Sequence, residues 1–194
     1  MHTVTRSLLV AACAAVLAAP VAAAGTGAPA TASTAPYCGI TWGSTAKATS
    51  PAQLWTGAVT GVRAGRHTCY DRLVVDLNGA GSTGTGYSLR YVTTVYQEGS
   101  GEAVSLRGGA KLQIVVKAPA YDDNGHSTYS PANRTELVST AGYRTFRQVA
   151  FAGSFEGQTT IGLGVRARLP MRAFRLAGPG TGERLVIDVA HFWS

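Results

Sequence analysis

The segment Gln158-Thr-Thr-Ile-Gly-Leu-Gly-Val-Arg-Ala-Arg-Leu169 decides the fold class, because apolar residues occupy every second position from Ile161 onward. Glycine and arginine alternate with them, at Gly162, Gly164, Arg166 and Arg168. A period of two is typical of a β-strand that buries one face. The two glycines have two interpretations: another backbone or a ligand comes close to this face, or the strand is tightly twisted.

Further segments have strand character and are separated by turn signals such as Asn78-Gly79 and Gly153–Gly157. They are Ala58–Arg66, Leu73–Leu77, Tyr87–Tyr96, Lys111–Lys117, Glu136–Thr140, Arg144–Phe151, Phe174–Leu176 and Arg184–His191. No segment of the mature chain has sustained helical periodicity. We therefore predict an all-β, two-layer β-sandwich with little or no helix.

Two strand segments repeat one pattern. Arg72-Leu-Val-Val-Asp-Leu-Asn78 is similar to Arg184-Leu-Val-Ile-Asp-Val-Ala190. In each, the aspartate lies on the face opposite the leucine. The pattern predicts two core strands at equivalent places, whose aspartates form strand-end hydrogen bonds or ion pairs with Arg72 or Arg184.

The N-terminus has the order of a secretory signal peptide. Arg6 precedes an apolar run, and small residues end the segment at Ala24, where we predict cleavage. A transmembrane anchor is the rival interpretation, but the apolar run breaks at Pro20 and is short for a bilayer. Residues 10–13 resemble a lipobox, yet most of the apolar run follows Cys13, which favours an ordinary signal-peptide residue. The protein is expected to be secreted, without a transmembrane anchor.

After the signal peptide, residues 25–36 are of low complexity and are predicted to be a flexible tether, followed by one domain over residues 37–194. Without Arg6, 16 basic residues face 10 acidic ones, so the net charge is +6. This charge favours anionic surroundings or serves solubility alone. No basic stripe interleaves with aromatic residues, so a nucleic-acid partner is not expected.

Cys38 and Cys69 are the two cysteines that remain after export. An oxidising compartment favours a disulfide between them, with two free thiols as the alternative. Such a bond would stabilise the fold by roughly 3–4 kcal/mol and would hold the N-terminal strand against the domain.

Motifs for chemistry are scarce. The chain has no His-x-x-x-His, Cys-x-x-Cys or Gly-x-Ser-x-Gly, and the acidic segment at residues 122–125 lacks the later bidentate acid of a calcium loop. His67 and Asp71 are close in sequence, but a serine partner cannot be assigned from sequence. We expect no metal, no cofactor and no catalytic residues.

Binding is better supported, because the longest irregular stretch, residues 120–133, is rich in aromatic and polar side chains. Arginines elsewhere offer bidentate contacts to a carboxylate or phosphate, unless they simply face solvent on strands. The predicted ligand-binding residues are Tyr121, Asp122, Tyr129, Asn133, Arg134, Arg144, Arg147, Arg166 and Arg168.

The segments Tyr70-Asp-Arg-Leu-Val-Val-Asp-Leu77 and Gly182-Glu-Arg-Leu-Val-Ile-Asp-Val189 resemble the opening and closing strands of the AMIN domain. Over residues 55–193 the chain resembles the AMIN-like domain of secreted proteins and lipoproteins of actinobacteria. The resemblance implies a β-sandwich. AMIN domains place peptidoglycan amidases and secretins at the envelope, but no amidase or pore domain accompanies the domain in these 194 residues.

The resemblance and the residues together predict a non-catalytic cell-envelope binding domain that recognises peptidoglycan or an associated wall glycan. One alternative is a protein-interaction or assembly module that docks on a secreted partner. Another is a secreted hydrolase of unrecognised type.

Overall fold

The computed structural model describes residues 35–49, 54–79 and 84–193. The predicted signal peptide, Cys13 and residues 25–34 of the predicted tether lie outside these ranges. In the described part, a short 3-10 turn at Tyr37–Gly39 precedes the strands, and no helix is long and apolar enough to cross a membrane. The strands are β1 Lys47–Ala48, β2 Val59–Arg66, β3 Tyr70–Leu77, β4 Tyr87–Val92, β5 Val95–Tyr96, β6 Ala103–Val104, β7 Ala110–Val116, β8 Phe146–Phe155, β9 Gln158–Val165, β10 Met171–Ala177 and β11 Glu183–Ala190.

The strands form two antiparallel sheets that pack face to face. Sheet A has the order β10-β11-β3-β2, sheet B has the order β1-β4-β7-β9-β8, and β5 pairs with β6 in a separate small ribbon. One apolar cluster joins the facing sides of sheets A and B. The predicted all-β class and the two-layer sandwich are thereby confirmed.

The core follows from the alternation in each strand. Leu73 and Ile187 of sheet A, with Ile114 and Leu163 of sheet B, are fully buried in the shared cluster. Burying a side chain of this size contributes about 1.5–3 kcal/mol. The register of the strands is therefore strongly specified, because a shift by one residue would expose these side chains.

The outer face of sheet B explains the two glycines of β9. A second apolar cluster covers this face, and the segment that follows β6 crosses it. A Cβ on Gly164 would lie 2.0 Å from the carbonyl oxygen of Arg107, and one on Gly162 would lie 2.8 Å from Leu106. The interpretation of close backbone approach is correct, and the approaching backbone belongs to the chain itself.

Some strand boundaries differ from the predictions. The predicted strand at Glu136–Thr140 is wrong, because this segment makes isolated bonds to β8, such as Leu137 N to Val149 O at 2.8 Å, and no ladder. The turn expected at Gly153–Gly157 begins later. Strand β8 runs on to Phe155 through a register shift between Phe151 and Ser154. Glycine at position 153 permits this irregularity, since its φ is +99°.

The two similar motifs form β3 and β11, which are buried strands and hydrogen-bonded neighbours in sheet A. The antiparallel register places Asp188 opposite Arg72 and Arg184 opposite Asp76. Arg72 donates to Asp188 from Nε at 2.7 Å and from Nη2 at 2.9 Å, so the first motif supplies the cation for the second motif's acid. Asp76 pairs with Arg63 of β2 instead, at 2.8 Å.

The predicted Cys38–Cys69 disulfide is present, with a Cα–Cα distance of 6.4 Å. Cys38 lies in the 3-10 turn and not in an N-terminal strand as expected. Cys69 lies in the turn between β2 and β3, so the bond holds the start of the described chain against that turn.

Candidate functional site

The nine predicted ligand-binding residues do not share one groove. Three of them, Tyr121, Tyr129 and Arg134, line one depression beside the loop 120–134. Arg144 lines a cleft at the other end of the sandwich, where β3 begins. Asp122 lines another depression, beside Trp55 and Asn78. Most of the remaining residues make hydrogen bonds within the protein.

Asp122 shapes its own turn. Its carboxylate accepts hydrogen bonds from the backbone N–H of Asn124 at 2.9 Å and of His126 at 2.8 Å. These donors, the bond to His126 first, lower the pKa of Asp122, although partial desolvation opposes them. Asn133 acts similarly, because its Oδ1 accepts from the backbone N–H and the hydroxyl of Thr135. Both side chains stabilise the loop conformation.

Three of the predicted arginines donate to backbone carbonyls. Arg147 donates to the carbonyls of Tyr143, Arg144 and Phe146. Arg166 donates to His191 O at 2.5 Å. Arg168 donates to Ser44 O at 3.3 Å and lies over the ring of Tyr91. Their first role in the folded chain is to fix loops, because a donor already paired to a carbonyl is less available to a ligand.

The loop groove, as we name the depression lined by Tyr121, Tyr129, Arg134 and Phe151, encloses about 260 Å³. The rings of Tyr129 and Phe151 meet edge to face, with 5.9 Å between their centroids. The Arg134 guanidinium lies 4.9 Å from the centroid of the Phe151 ring. Burial raises the pKa of Tyr129. The rings and the cation are thus positioned before any ligand arrives.

A second depression, the tryptophan cleft, adjoins the loop groove at Tyr121, which lines both. It encloses about 560 Å³ between Trp55, Asn78 and Asp123. Trp55 donates to Asn78 O at 2.5 Å, and the Tyr121 hydroxyl accepts from Gly157 N at 3.0 Å. The two depressions therefore lie on either side of one fixed tyrosine.

The third depression, the arginine cleft, lies at the opposite end of the sandwich and encloses about 560 Å³. Its lining consists of Arg66, His67, Thr68, Asp71, Gly142, Arg144 and His191. The sequence predicted Arg144 as a binding residue and pointed to His67 and Asp71 only as possible catalytic partners. It did not identify Arg66, Thr68, Gly142 or His191. The alternation of the strands carried the signal for two of the lining residues. Asp71 lies two residues before Leu73 and His191 two residues after Val189, so both side chains point to the same side as the core residues of β3 and β11.

Asp71 pairs with His191, 120 residues away, and not with His67. The fully buried Asp71 carboxylate lies 3.2 Å from His191 Nε2 and accepts from Thr145 N at 2.6 Å and Phe146 N at 3.1 Å. His67 instead stacks on Tyr70. The hydroxyl side chain that lines this cleft is that of Thr68. In the described ranges, no group of three or more His, Cys, Asp or Glu side chains could hold a metal ion.

The fold and these depressions define a class: a disulfide-linked antiparallel β-sandwich with open surface clefts at both ends. The model of the AMIN-like domain matches residues 57–191, and the chain belongs to this family. No curated protein matches the chain. AMIN-like domains are in general non-catalytic binding modules, typically extracellular or periplasmic, and the family indicates a binding or interaction domain of the cell envelope.

Proposed function

We propose that the protein is exported by its signal peptide and binds peptidoglycan or an associated wall glycan without transforming it. The observation that carries this proposal is the loop groove, where Tyr129 and Arg134 pack against Phe151 beside Tyr121. Aromatic rings pack against the C–H faces of sugars, and a guanidinium donates to hydroxyl or carboxylate oxygens.

The shape of this end of the domain favours an extended polymer. The loop groove and the tryptophan cleft meet at Tyr121, so a chain of sugars could cross that side chain and contact both. The loop itself is held by the hydrogen bonds of Asp122 and by the bridge between Tyr121 and Ser127. A loop already ordered loses little conformational freedom on binding, which favours affinity.

The Arg134 side chain is exposed, and within the described residues its guanidinium donates no hydrogen bond to the protein. It therefore differs from Arg147 and Arg166, whose guanidiniums donate to carbonyls. Arg134 is the member of the predicted set that is best placed to contact a ligand at this end.

Retention on purified cell-wall sacculi tests the proposal. Arg134→Ala and Tyr129→Ala should each reduce the retained fraction several-fold, and retention should fall as salt rises. Arg90→Ala and Tyr96→Ala are matched controls, because both side chains are exposed elsewhere on the domain. Arg134 is exposed, so its substitution should leave the thermal melt unchanged. Equal retention of wild type and both groove variants would overturn the proposal.

A second candidate is docking on a secreted protein partner. Exposed apolar side chains favour it at the β8–β9 turn, where Phe155 is 50% exposed and Leu54 is 63% exposed. Leu54 lies beside Gly157, and Phe155 lies beside Gly99. If this candidate is correct, the wild-type protein should retain a defined protein from the culture fluid and the Phe155→Ser variant should not. Cell-wall sacculi should then retain neither the wild type nor the variant.

A further inference from the structure

Two arginines at the rim of the arginine cleft have unused donors. Arg66 ends β2, and Arg144 lies in the loop before β8. Both side chains are exposed, and in the part of the chain that the structure describes neither guanidinium donates a hydrogen bond or joins an ion pair. The Arg144 guanidinium lies over the ring of Phe192, 5.6 Å from its centroid, which restricts its position.

Gly142 lies next to the Arg66 guanidinium. A Cβ at position 142 would lie 2.9 Å from Arg66 Nη1, so glycine there leaves the space that the guanidinium uses. Gly142 also has φ +76°, a conformation that glycine adopts without strain. Arg66, Gly142 and Arg144 line the same cleft from two separate chain segments.

The floor of the cleft is rigid and partly unsatisfied. The Asp71 carboxyl group accepts hydrogen bonds from two backbone N–H groups and lies 3.2 Å from Nε2 of His191. A carboxylate accepts hydrogen bonds, so Nε2 of His191 carries the proton in this pair. The other ring nitrogen, Nδ1, is buried and has no partner in the described residues. An unpaired buried polar atom is unfavourable, and this one is shielded from solvent.

The turn that carries His67 and Thr68 is also fixed. His67 N donates to Tyr70 O at 3.0 Å, His191 N donates to Cys69 O at 3.0 Å, and Cys69 is held by the disulfide. Thr68 and His67 add a hydroxyl and an imidazole to the lining. The lining thus carries two arginines against one buried and compensated acid.

We propose that the arginine cleft binds an oxyanion group, a carboxylate or a phosphate, between Arg66 and Arg144. Two guanidiniums with free donors match the oxygen geometry of such a group. This site is distinct from the loop groove, because the two depressions have no lining residue in common. The inference does not rest on wall-glycan binding at the loop groove.

Small soluble probes test this site directly. The N-acetylated dipeptide alanyl-alanine supplies a free carboxylate, its C-terminal amide lacks that charge, and glycerol phosphate supplies a phosphate. Calorimetric titration should show binding of at least one of the two anions and no binding of the amide. The anion that binds shows whether the cleft takes a carboxylate or a phosphate. Arg66→Gln and Arg144→Gln should each weaken that binding about tenfold or more, since charge-assisted hydrogen bonds are lost.

Arg90→Gln is the matched control, because Arg90 is an exposed arginine on β4. This substitution should change the affinity for the anion by less than about twofold. In the wild-type protein, backbone amide resonances of Thr68, Thr145 and His191 should shift on titration, which locates the site without any substitution. Absence of binding by both anions up to about 10 mM, an equal loss with Arg90→Gln, or shifts confined to other regions would overturn the inference. Arg134→Ala should lose wall retention and keep anion binding, so the two proposals can fail separately.

Discussion

Replacing Asp188 or Asp76 by alanine should have very different effects on stability, although both acids occupy the same position of a repeated motif. Asp188 is fully buried and accepts from Arg72 and Arg172, which are 22% and 31% exposed. Asp76 is 27% exposed, and its partner Arg63 is 56% exposed. Asp188→Ala leaves two partly buried arginines without their acid, whereas Asp76→Ala removes one partner of an exposed ion pair.

The structure sets the magnitude for Asp188→Ala. Removing one partner of a buried ion pair costs about 3–5 kcal/mol. We expect the lower end, about 3 kcal/mol, because Arg72 and Arg172 would keep their contacts with the rings of Tyr70 and Phe174. For a domain of this size that loss lowers Tm by about 9 °C. Asp76→Ala should cost about 0.5 kcal/mol, as exposed pairs usually do.

Urea denaturation of the oxidised protein, followed by tryptophan fluorescence, gives both free energies of unfolding. The dependence of the unfolding free energy on urea concentration should be the same in both variants as in the wild type, so that the transition midpoints can be compared. The reasoning is refuted if Asp76→Ala costs as much as Asp188→Ala, or if Asp188→Ala stays within about 1 kcal/mol of the wild type.

Three further predictions concern the packing, a tyrosine and the disulfide. Gly164→Ala should lower the free energy of unfolding by about 2–3 kcal/mol, because its Cβ would meet a backbone carbonyl. In the control Gly61→Ala the Cβ would lie 3.5 Å from the nearest atom, so stability should change by less than about 0.5 kcal/mol. Equal melting temperatures of the two variants would contradict the close packing over β9. Burial raises the pKa of Tyr91 from 10.0 to about 12, so the folded state keeps a proton that the unfolded state releases. Stability should be fully present below about pH 10 and fall as the pH rises toward about 12, and Tyr91→Phe should flatten this fall in urea titrations at several pH values; an unchanged slope would refute the assignment. Replacing Cys38 and Cys69 by serine should lower the free energy of unfolding by about 3–4 kcal/mol, and a loss below about 1 kcal/mol would show that the bond does not constrain the unfolded chain.

The function-related residues were harder to foresee than the fold. The loop 120–134 was identified because its composition differs from that of the strands, and three of its predicted residues do line one groove. Asp122 and Asn133 have the residue types of a binding site, yet their oxygens accept from nearby backbone N–H groups. Local sequence cannot distinguish these two uses, because a polar side chain in a loop suits both.

The sequence by itself determined the strand character of the chain, the faces of the strands, the pairing of two cysteines and the family resemblance. The strand properties depend on residues close together along the chain. The cysteine pair follows once the predicted signal peptide with Cys13 is set aside, because two of the three cysteines then remain. The tertiary structure alone decided which distant residues meet. The pairing of β3 with β11 brings Arg72 to Asp188, and it brings Asp71 to His191 at the floor of a cleft. Alternation fixes which way a side chain points, but the order of strands in a sheet depends on the packing of the whole domain, and that order selects the partner.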